Sequence, residues 1–358
     1  MKLCLIAPAP PPCGGIANWT RIVCNQIKKE QENIEFSFIN IAPTVSYIER
    51  KGALGHIWTS FCELLVQYRK LLRQVKTNKP DVVHLTTSGQ LSFIRDYVLM
   101  KVMKRYDIPC VYHFHFGRIP QIVENKSIEY RFLLKILPKA CKVIAIDPKT
   151  FKCLQKEFTN VESVYIPNPV ENTEISEKHS KAKKEILFVG WIIKEKGVEE
   201  LICAWHSMQH DFPDYTLHLI GPYNDEYKKY LSDTYNMKNV TIEGELAHKD
   251  TLQRIHECTV MVLPSYSEGF PNVILEAMMA KKAIIATNVG AIPEILSGEA
   301  GMLIEPRNVE QIEEALRKLL YNQSYQETLA KNAHQRVVDL YEANTVFEQY
   351  FKIWRSVI

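Results

Sequence analysis

No stretch of this chain reaches the roughly 18 consecutive apolar residues that a membrane-spanning helix needs, and none is of low complexity. The first apolar run, Leu3 to Ala9, is short and is closed by Pro10-Pro11-Pro12, so it is read as a first strand and not as a signal peptide. The nine cysteines show no paired spacing such as Cys-x-x-C, which argues against a disulfide framework or a zinc site and fits a reducing cytoplasm. There is no Asp-x-Asp pair either, and the Glu243-x-Glu245 spacing is not read as a metal site. With a net charge of +3 over 358 residues, nothing marks the chain as a nucleic-acid binder.

What the chain does have is size, hydrophobic content and a polarised charge. At 358 residues, 46% of them hydrophobic, it can bury two ordinary domain cores. Residues 1–170 carry 24 Lys plus Arg against 13 Asp plus Glu, while residues 171–358 carry 20 against 28. The first half is therefore basic and the second acidic. Two basic helical stretches, Tyr68 to Lys79 and Met100 to Arg105, suit an anionic membrane face or a phosphate-bearing acceptor; the plain alternative is a solvated helix surface.

Apolar runs and amphipathic stretches alternate along the whole chain, the pattern of doubly wound parallel α/β sheets. Strands are expected at 2–7, 34–40, 81–86, 110–115, 142–146 and 162–166. A second set is expected at Glu185–Val189, Tyr215–Ile220, Val240–Glu243, Val260–Leu263, Ala283–Ala286 and Met302–Ile304. Between the sets, Pro167 to Glu185 is polar and turn-rich without apolar periodicity, which places the interdomain linker there.

The most informative segment is Ser265 to Glu276, SYSEGFPNVILE, which sets Glu268 and Glu276 eight residues apart around a Gly-Phe-Pro turn. Pro271 suits the first position of a helix running to about Lys281. The amides from Gly269 to Val273, Phe270 and Asn272 included, then face a strand end where aligned peptide dipoles favour a phosphate. Carboxylates beside such a site make sense if they accept hydrogen bonds from neutral hydroxyls, and a nucleotide sugar supplies ribose and sugar hydroxyls on either side of a diphosphate. The plain alternative is a solvated loop acid followed by a first-turn helix acid.

Other candidates also follow expected strands, where ligands of open parallel sheets collect. Gly14 and Gly15 follow the first strand and permit close approach of a ligand to the backbone, as an ordinary strand-to-helix turn would. His113 and His115 stand two apart, so both can share one face; spacing offers no third metal ligand, and a histidine satisfied at a domain interface is the structural alternative. The segment Gly190-Trp191-Ile192-Ile193-Lys194-Glu195-Lys196-Gly197 lies between a strand and a helix. Lys196 is the residue placed to stabilise charge on a leaving diphosphate.

The phrase EGFPNVILEAM with its glutamate pair, the later TNVGAIPEI and the upstream FVGWIIKEKGVEELICAW resemble the signature of the retaining glycosyltransferases of family 4 (glycosyl transferases group 1). The resemblance covers essentially the whole chain and implies the GT-B fold, two Rossmann-like domains facing each other across a cleft. The domains are expected at 1–169 plus 340–358 and at 170–339, the last helix crossing back onto the first domain. By resemblance, Gly14 and Gly15 face the donor phosphates and His115, or in the other register His113, lies beside the transferring sugar. Loops at Gly221 and at Gly244 and Leu246 wrap the nucleobase, Glu268 orients the donor sugar and Glu276 the ribose. No metal or cofactor is implied. The chain departs from the family at Trp191, where arginine is usual and would clamp a diphosphate bidentately. Lys194, Arg118 and Arg21 are the cations that could compensate, and Trp191 itself could stack on a sugar. Lys281, Ala283 and Pro169 are lesser departures.

The implied reaction is transfer of a hexose or N-acetylhexosamine from a UDP-sugar, or a GDP-sugar, to a hydroxyl of a glycan, with retention and without a protein nucleophile. The expected acceptor is a lipid-linked glycan in surface polysaccharide assembly, met in the cytoplasm at the inner face of the cell membrane. A nucleotide-sugar 2-epimerase of the same architecture and a non-catalytic nucleotide-sugar-binding subunit are the rival readings.

Overall fold

The computed structural model describes residues 1–10, 14–29, 34–42, 52–172 and 183–358, and of residues 52–58 the backbone alone. It divides the chain into two units, Met1–Pro169 with Ala343–Ile358, and Val170–Glu342. The middle of the expected linker, residues 173–182, lies outside the described residues.

The first unit runs β1 (Lys2–Ala7), α1 (Gly15–Lys29), β2 (Glu35–Asn40), α2 (Gly52–Thr77), β3 (Val82–Thr87), α3 (Ser92–Arg105) and β4 (Cys110–Phe114). It continues with α4 (Ile119–Glu124), α5 (Ile128–Ile136), β5 (Lys142–Ala145), α6 (Pro148–Glu157) and β6 (Ser163–Tyr165). The strands form one parallel sheet in the order β2-β1-β3-β4-β5-β6. Helices cover both faces, so β3 is buried at every position and a run such as LCLIA of β1 is continuously apolar rather than alternating. Residues of alternating parity go to opposite faces: Cys4, Ile6, Val83, Leu85 and Tyr112 to one core, Leu3, Leu5, Val82 and Val111 to the other.

Local signals fix the helix ends. Asp147 caps α6 by accepting the Thr150 amide at 2.8 Å, with Pro148 as the first helical residue. On α3, the buried Asp96 carboxylate is paired with Arg95 at 2.7 Å and accepts the Tyr112 hydroxyl at 2.7 Å, which meets the requirement that a buried charge be partnered.

The second unit runs β7 (Glu185–Val189), α7 (Val198–Met208), β8 (Thr216–Ile220), α8 (Asp225–Thr234), β9 (Val240–Glu243), α9 (His248–Glu257) and β10 (Val260–Leu263). Then come α10 (Asn272–Met279), β11 (Ala283–Thr287), α11 (Ile292–Ile295), β12 (Met302–Ile304), α12 (Val309–Tyr321) and α13 (Gln323–Tyr341). Its parallel sheet has the order β12-β11-β10-β7-β8-β9, so the winding reverses between β7 and β10. All twelve expected strands are present, each within a residue of its expected ends.

The last helix, α14 (Ala343–Ser356), belongs to the first unit. Its Val346, Phe347, Tyr350 and Trp354 complete the core that holds Leu3, Leu5, Trp19, Val82 and Val111. The return of the chain that the resemblance implied is thus made by a row of apolar side chains at helical spacing.

Candidate active site

In an open parallel sheet the strand ends diverge where the winding reverses, and the crevice at their carboxyl ends is where ligands bind. In the second unit that point lies between β7 and β10, and the loops that follow these strands meet there. The Tyr266 amide donates to the Glu195 carbonyl at 2.9 Å, tying the loop after β10 to the loop after β7. The Ala291 amide donates to the Gly269 carbonyl at 3.0 Å, bringing in the loop after β11. The Ile192 amide donates to the Pro222 carbonyl at 2.8 Å, bringing in the loop after β8.

Two glycines permit this convergence. Gly290 has φ +58°, and a Cβ there would lie 2.2 Å from the Glu268 carbonyl oxygen. Gly221 has φ +144°, and a Cβ would lie 2.0 Å from the Gly190 carbonyl oxygen. Both positions combine a backbone conformation costly for other residues with a main-chain approach that leaves no room for a side chain.

At the centre, the Lys196 ammonium lies 2.6 Å from Oε1 of Glu268. The Ser265 hydroxyl donates to the same oxygen at 2.7 Å, and the Ser265 carbonyl accepts from the Thr287 hydroxyl at 2.6 Å. Both members of the pair are largely buried, 24% and 11% exposed at their side chains, so the interaction is less screened than a surface ion pair. The sequence reading had Lys196 aimed at a diphosphate and Glu268 at sugar hydroxyls. In this structure they hold each other.

Eight residues on, Glu276 lies in the second turn of α10 and not the first, and its Oε1 is 2.9 Å from Nε2 of His248 at the start of α9. His248 was not foreseen; the signal available was a polar residue opening a helix just after the Gly244 loop. Pro271 stands at the N-cap rather than the first helical position, and α10 stops at Met279, short of Lys281. The reason is visible in the ladder, whose first bond runs from the Ile274 amide to the Pro271 carbonyl at 3.1 Å. The amides of Asn272 and Val273 remain outside that ladder.

The remaining candidates divide cleanly. Phe270 is buried and its ring lies 6.1 Å from that of Tyr341, so its side chain is a core element and only its amide can serve a ligand. Gly190, Gly221, Gly269 and Asn272 sit in or beside the converging loops, while Gly244 is exposed and Leu246 half-buried after β9. Glu243 is not a ligand-facing acid, because Arg254 holds both of its carboxylate oxygens at 2.9 and 2.8 Å. Trp191 is 60% exposed and packs in no core. The cations considered as replacements for the usual arginine are engaged elsewhere: Lys194 lies 3.8 Å from Glu199, Arg118 pairs with Glu129 at 3.1 Å, and Arg21 donates to Asn18 at 2.8 Å.

In the first unit, Gly14 is exposed and Gly15 opens α1 directly after the β1 loop. His113 and His115 do share a face, their ring centroids 3.9 Å apart. His113 is fully buried and His115 half-buried, so His115 is the more exposed of the two, although its Nε2 is buried. Trp19 lies edge-on to both, at 5.1 and 4.7 Å, and its indole donates to the Tyr350 hydroxyl at 3.0 Å. Burial holds the His84 imidazole down to about 3 and His113 and His115 well below their ordinary range, so all three are neutral. Among the described residues no group of three His, Cys, Asp or Glu is arranged to hold a metal ion.

Known proteins match both units. The description Glycosyltransferase Family 4 covers residues 21–174 and Glycosyl transferases group 1 covers residues 170–336. An uncharacterized glycosyltransferase of Methanocaldococcus jannaschii is 33% identical over 259 residues, 71% of this chain and 70% of that protein. The capsular polysaccharide biosynthesis glycosyltransferase CapM of Staphylococcus aureus is 29% identical over 245 residues, 66% of this chain but only 61% of CapM. Among solved structures, the sucrose-phosphate synthase of Thermosynechococcus elongatus superposes with a TM-score of 0.79 at 19% identity, covering 99% of this chain and 98% of that one. Anabaena HepE in complex with UDP superposes with a TM-score of 0.73 at 17% identity, covering 99% of both chains. The chain therefore belongs to the family 4 glycosyltransferases (glycosyl transferases group 1), and its pair of doubly wound sheets is the GT-B fold.

Proposed function

We propose that the protein transfers a hexose or N-acetylhexosamine, with retention and without a metal ion, from a nucleotide sugar to a hydroxyl of a glycan acceptor in surface polysaccharide assembly. The observation that carries the reading is the Lys196–Glu268–Ser265 cluster at the winding reversal, with Glu276 one helical stretch beyond. A diphosphate that docks against the amides preceding α10 competes with Glu268 for Lys196. Lys196 then turns to the phosphate, and Glu268 is released to accept hydrogen bonds from the donor sugar. Charge that grows on the leaving phosphate as the glycosidic bond breaks meets the ammonium and the helix amides, which is transition-state stabilisation. The acceptor oxygen bonds to the anomeric carbon from the face the diphosphate leaves, and the departing phosphate oxygen takes the acceptor proton.

UDP is the favoured nucleotide. HepE, which shares the fold, is described in complexes with UDP and with UDP-glucose. Surface polysaccharide as the product class is supported by two relatives, the capsular CapM and the putative teichuronic acid glycosyltransferase TuaC of Bacillus subtilis.

A peripheral membrane encounter with a lipid-linked acceptor is supported by the surface of the first unit. Exposed apolar side chains, Leu91 and Ile94 at α3 and Ile128 and Leu134 on α5, stand among exposed Lys101, Arg131 and Lys135. Along α2, Phe61 and Val66 accompany exposed Arg69, Lys70 and Arg73. Apolar tips with basic neighbours suit the interface of an anionic bilayer, and no helix among the described residues is long and apolar enough to cross one. Sedimentation with anionic vesicles that weakens as salt rises is the expected result; equal sedimentation with neutral vesicles would remove the membrane from the reading.

The deciding experiment is a panel of UDP- and GDP-sugars incubated with the whole chain. Slow release of free nucleotide and free sugar is the expected outcome. An isomerised sugar would make the protein an epimerase, and binding without turnover would make it a non-catalytic subunit.

A further inference from the structure

The cluster beneath His115 contains a hydrogen-bond chain whose direction is fixed by its first member. The Trp354 indole N–H donates to Nδ1 of His84 at 2.9 Å, and an indole nitrogen can only donate. Nδ1 of His84 therefore carries no proton, and the proton of this neutral ring must sit on Nε2. That nitrogen lies 3.2 Å from Nδ1 of His113, so His84 donates and His113 accepts. By the same reasoning, the His113 proton sits on Nε2. This last nitrogen is buried and has no hydrogen-bond partner among the described residues, as is true of Nε2 of the adjacent His115.

Each link comes from a different part of the chain. His84 is a fully buried residue of β3, His113 of β4 and Trp354 of α14. Nothing in a plain sheet core calls for imidazoles there, since an apolar side chain would fill either site without needing partners. The arrangement also has no slack. Were His84 protonated on both nitrogens, or in its other tautomer, the Trp354 N–H would face another N–H.

We propose that Trp354 is a positioning residue that sets, through His84, the protonated nitrogen of His113, so that the buried His113 presents a fixed N–H dipole beneath His115 and never a proton acceptor. The proposal rests on the transferase reading, in which His115 is the ring beside a sugar or acceptor hydroxyl. Under it His113 cannot act as a general base, and the two histidines differ in role: His115 is the more exposed ring, and His113 holds that ring and supplies a fixed dipole beneath it.

The test uses the whole chain labelled with ¹⁵N-histidine. Long-range ¹H–¹⁵N spectra at neutral pH are expected to place His84 and His113 both as the Nε2–H tautomer; a proton on Nδ1 of His113 overturns the proposal. Trp354→Phe keeps an aromatic filler and removes the donor. It is expected to leave His113 in mixed tautomers and to lower nucleotide-release turnover about tenfold, with donor KM changed less than about twofold. An unchanged tautomer or unchanged turnover in a folded Trp354→Phe protein overturns it.

If that variant fails to fold, the wild-type spectrum still decides the direction of the chain, and two His84 variants decide its consequence. His84→Gln retains one acceptor and one donor and is expected to keep most turnover, whereas His84→Leu is not; equal loss in both sinks the idea. The spectra do not depend on turnover, so a wild-type protein that releases no nucleotide from any sugar would overturn the transferase reading alone.

Discussion

The two units place their candidate residues at equivalent strand ends but hold them by different means. In the second unit the main chain does the holding: loops after β7, β8, β10 and β11 are stitched by amide–carbonyl bonds, and glycines at 221 and 290 let backbones touch. In the first unit the side chains do it, with Trp19, His84, His113, Tyr350 and Trp354 interlocked in a core that contains no charge. The difference teaches where each is vulnerable. A backbone-built site fails when a Cβ is added, and a side-chain-built site fails when one is cut back.

Truncation in the first unit gives the sharpest contrast. Trp19→Ala removes a fully buried indole, its bond to Tyr350 and its contacts with three imidazoles, and is expected to cost about 3–5 kcal/mol. Hydrogen exchange should show the loss in peptides of β1, β3 and β4 while those of β7 and β10 keep their protection; uniform loss would erase the contrast. Next comes chemistry in the second unit. Glu268→Ala is expected to lower kcat about 100-fold, whereas Glu276→Ala raises donor KM and leaves kcat nearly unchanged. Steady-state kinetics with unaltered constants in both variants would contradict these roles.

Acid should separate the units as well. His84 and His113 stay neutral in the fold because burial lowers their pKa, His84 to about 3. The unfolded rings take up protons below about 6.5 and the folded ones do not. Stability is therefore level above that pH and falls below it, by about 1.4 kcal/mol per pH unit for each ring. Asp96, whose carboxyl is pushed up by burial, offsets part of this. Exchange at pH 5.5 should weaken in β3 and β4 before β7 and β10; the reverse order would contradict the buried neutral rings. Smallest is the added methyl. Gly290→Ala combines positive φ with a clash against the Glu268 carbonyl and is expected to cost about 1–3 kcal/mol and to raise donor KM, measured by melting and by titration with UDP.

Much of the fold was legible because parallel strands buried on both faces are largely continuous apolar runs, as LCLIA, VMVL and AIIA are. Strand order was not, since pairing across a sheet leaves no local mark. The two acids and Lys196 were recognisable by motif, but their partnership was not: Lys196 and Glu268 are 72 residues apart, and only the meeting of β7 and β10 joins them. The helix start was misplaced by one step because proline satisfies both the N-cap and the first helical position, and the deciding bond, Ile274 to Pro271, is a matter of backbone angle. Imidazoles inside β3 and β4 were a signal only half used. His113 was noticed for its spacing from His115, while His84, a buried polar side chain of β3, went unread.

The placement of α14 has a consequence for how the protein is made. Val346, Phe347, Tyr350 and Trp354 close the layer over Leu3, Leu5 and Val82, yet they leave the ribosome after every residue of the second unit. The part synthesised first is thus finished last, with a greasy sheet surface bare throughout translation of the other half. Nascent chains arrested before Ala343 should engage holding chaperones through that surface, and release should coincide with emergence of the closing helix.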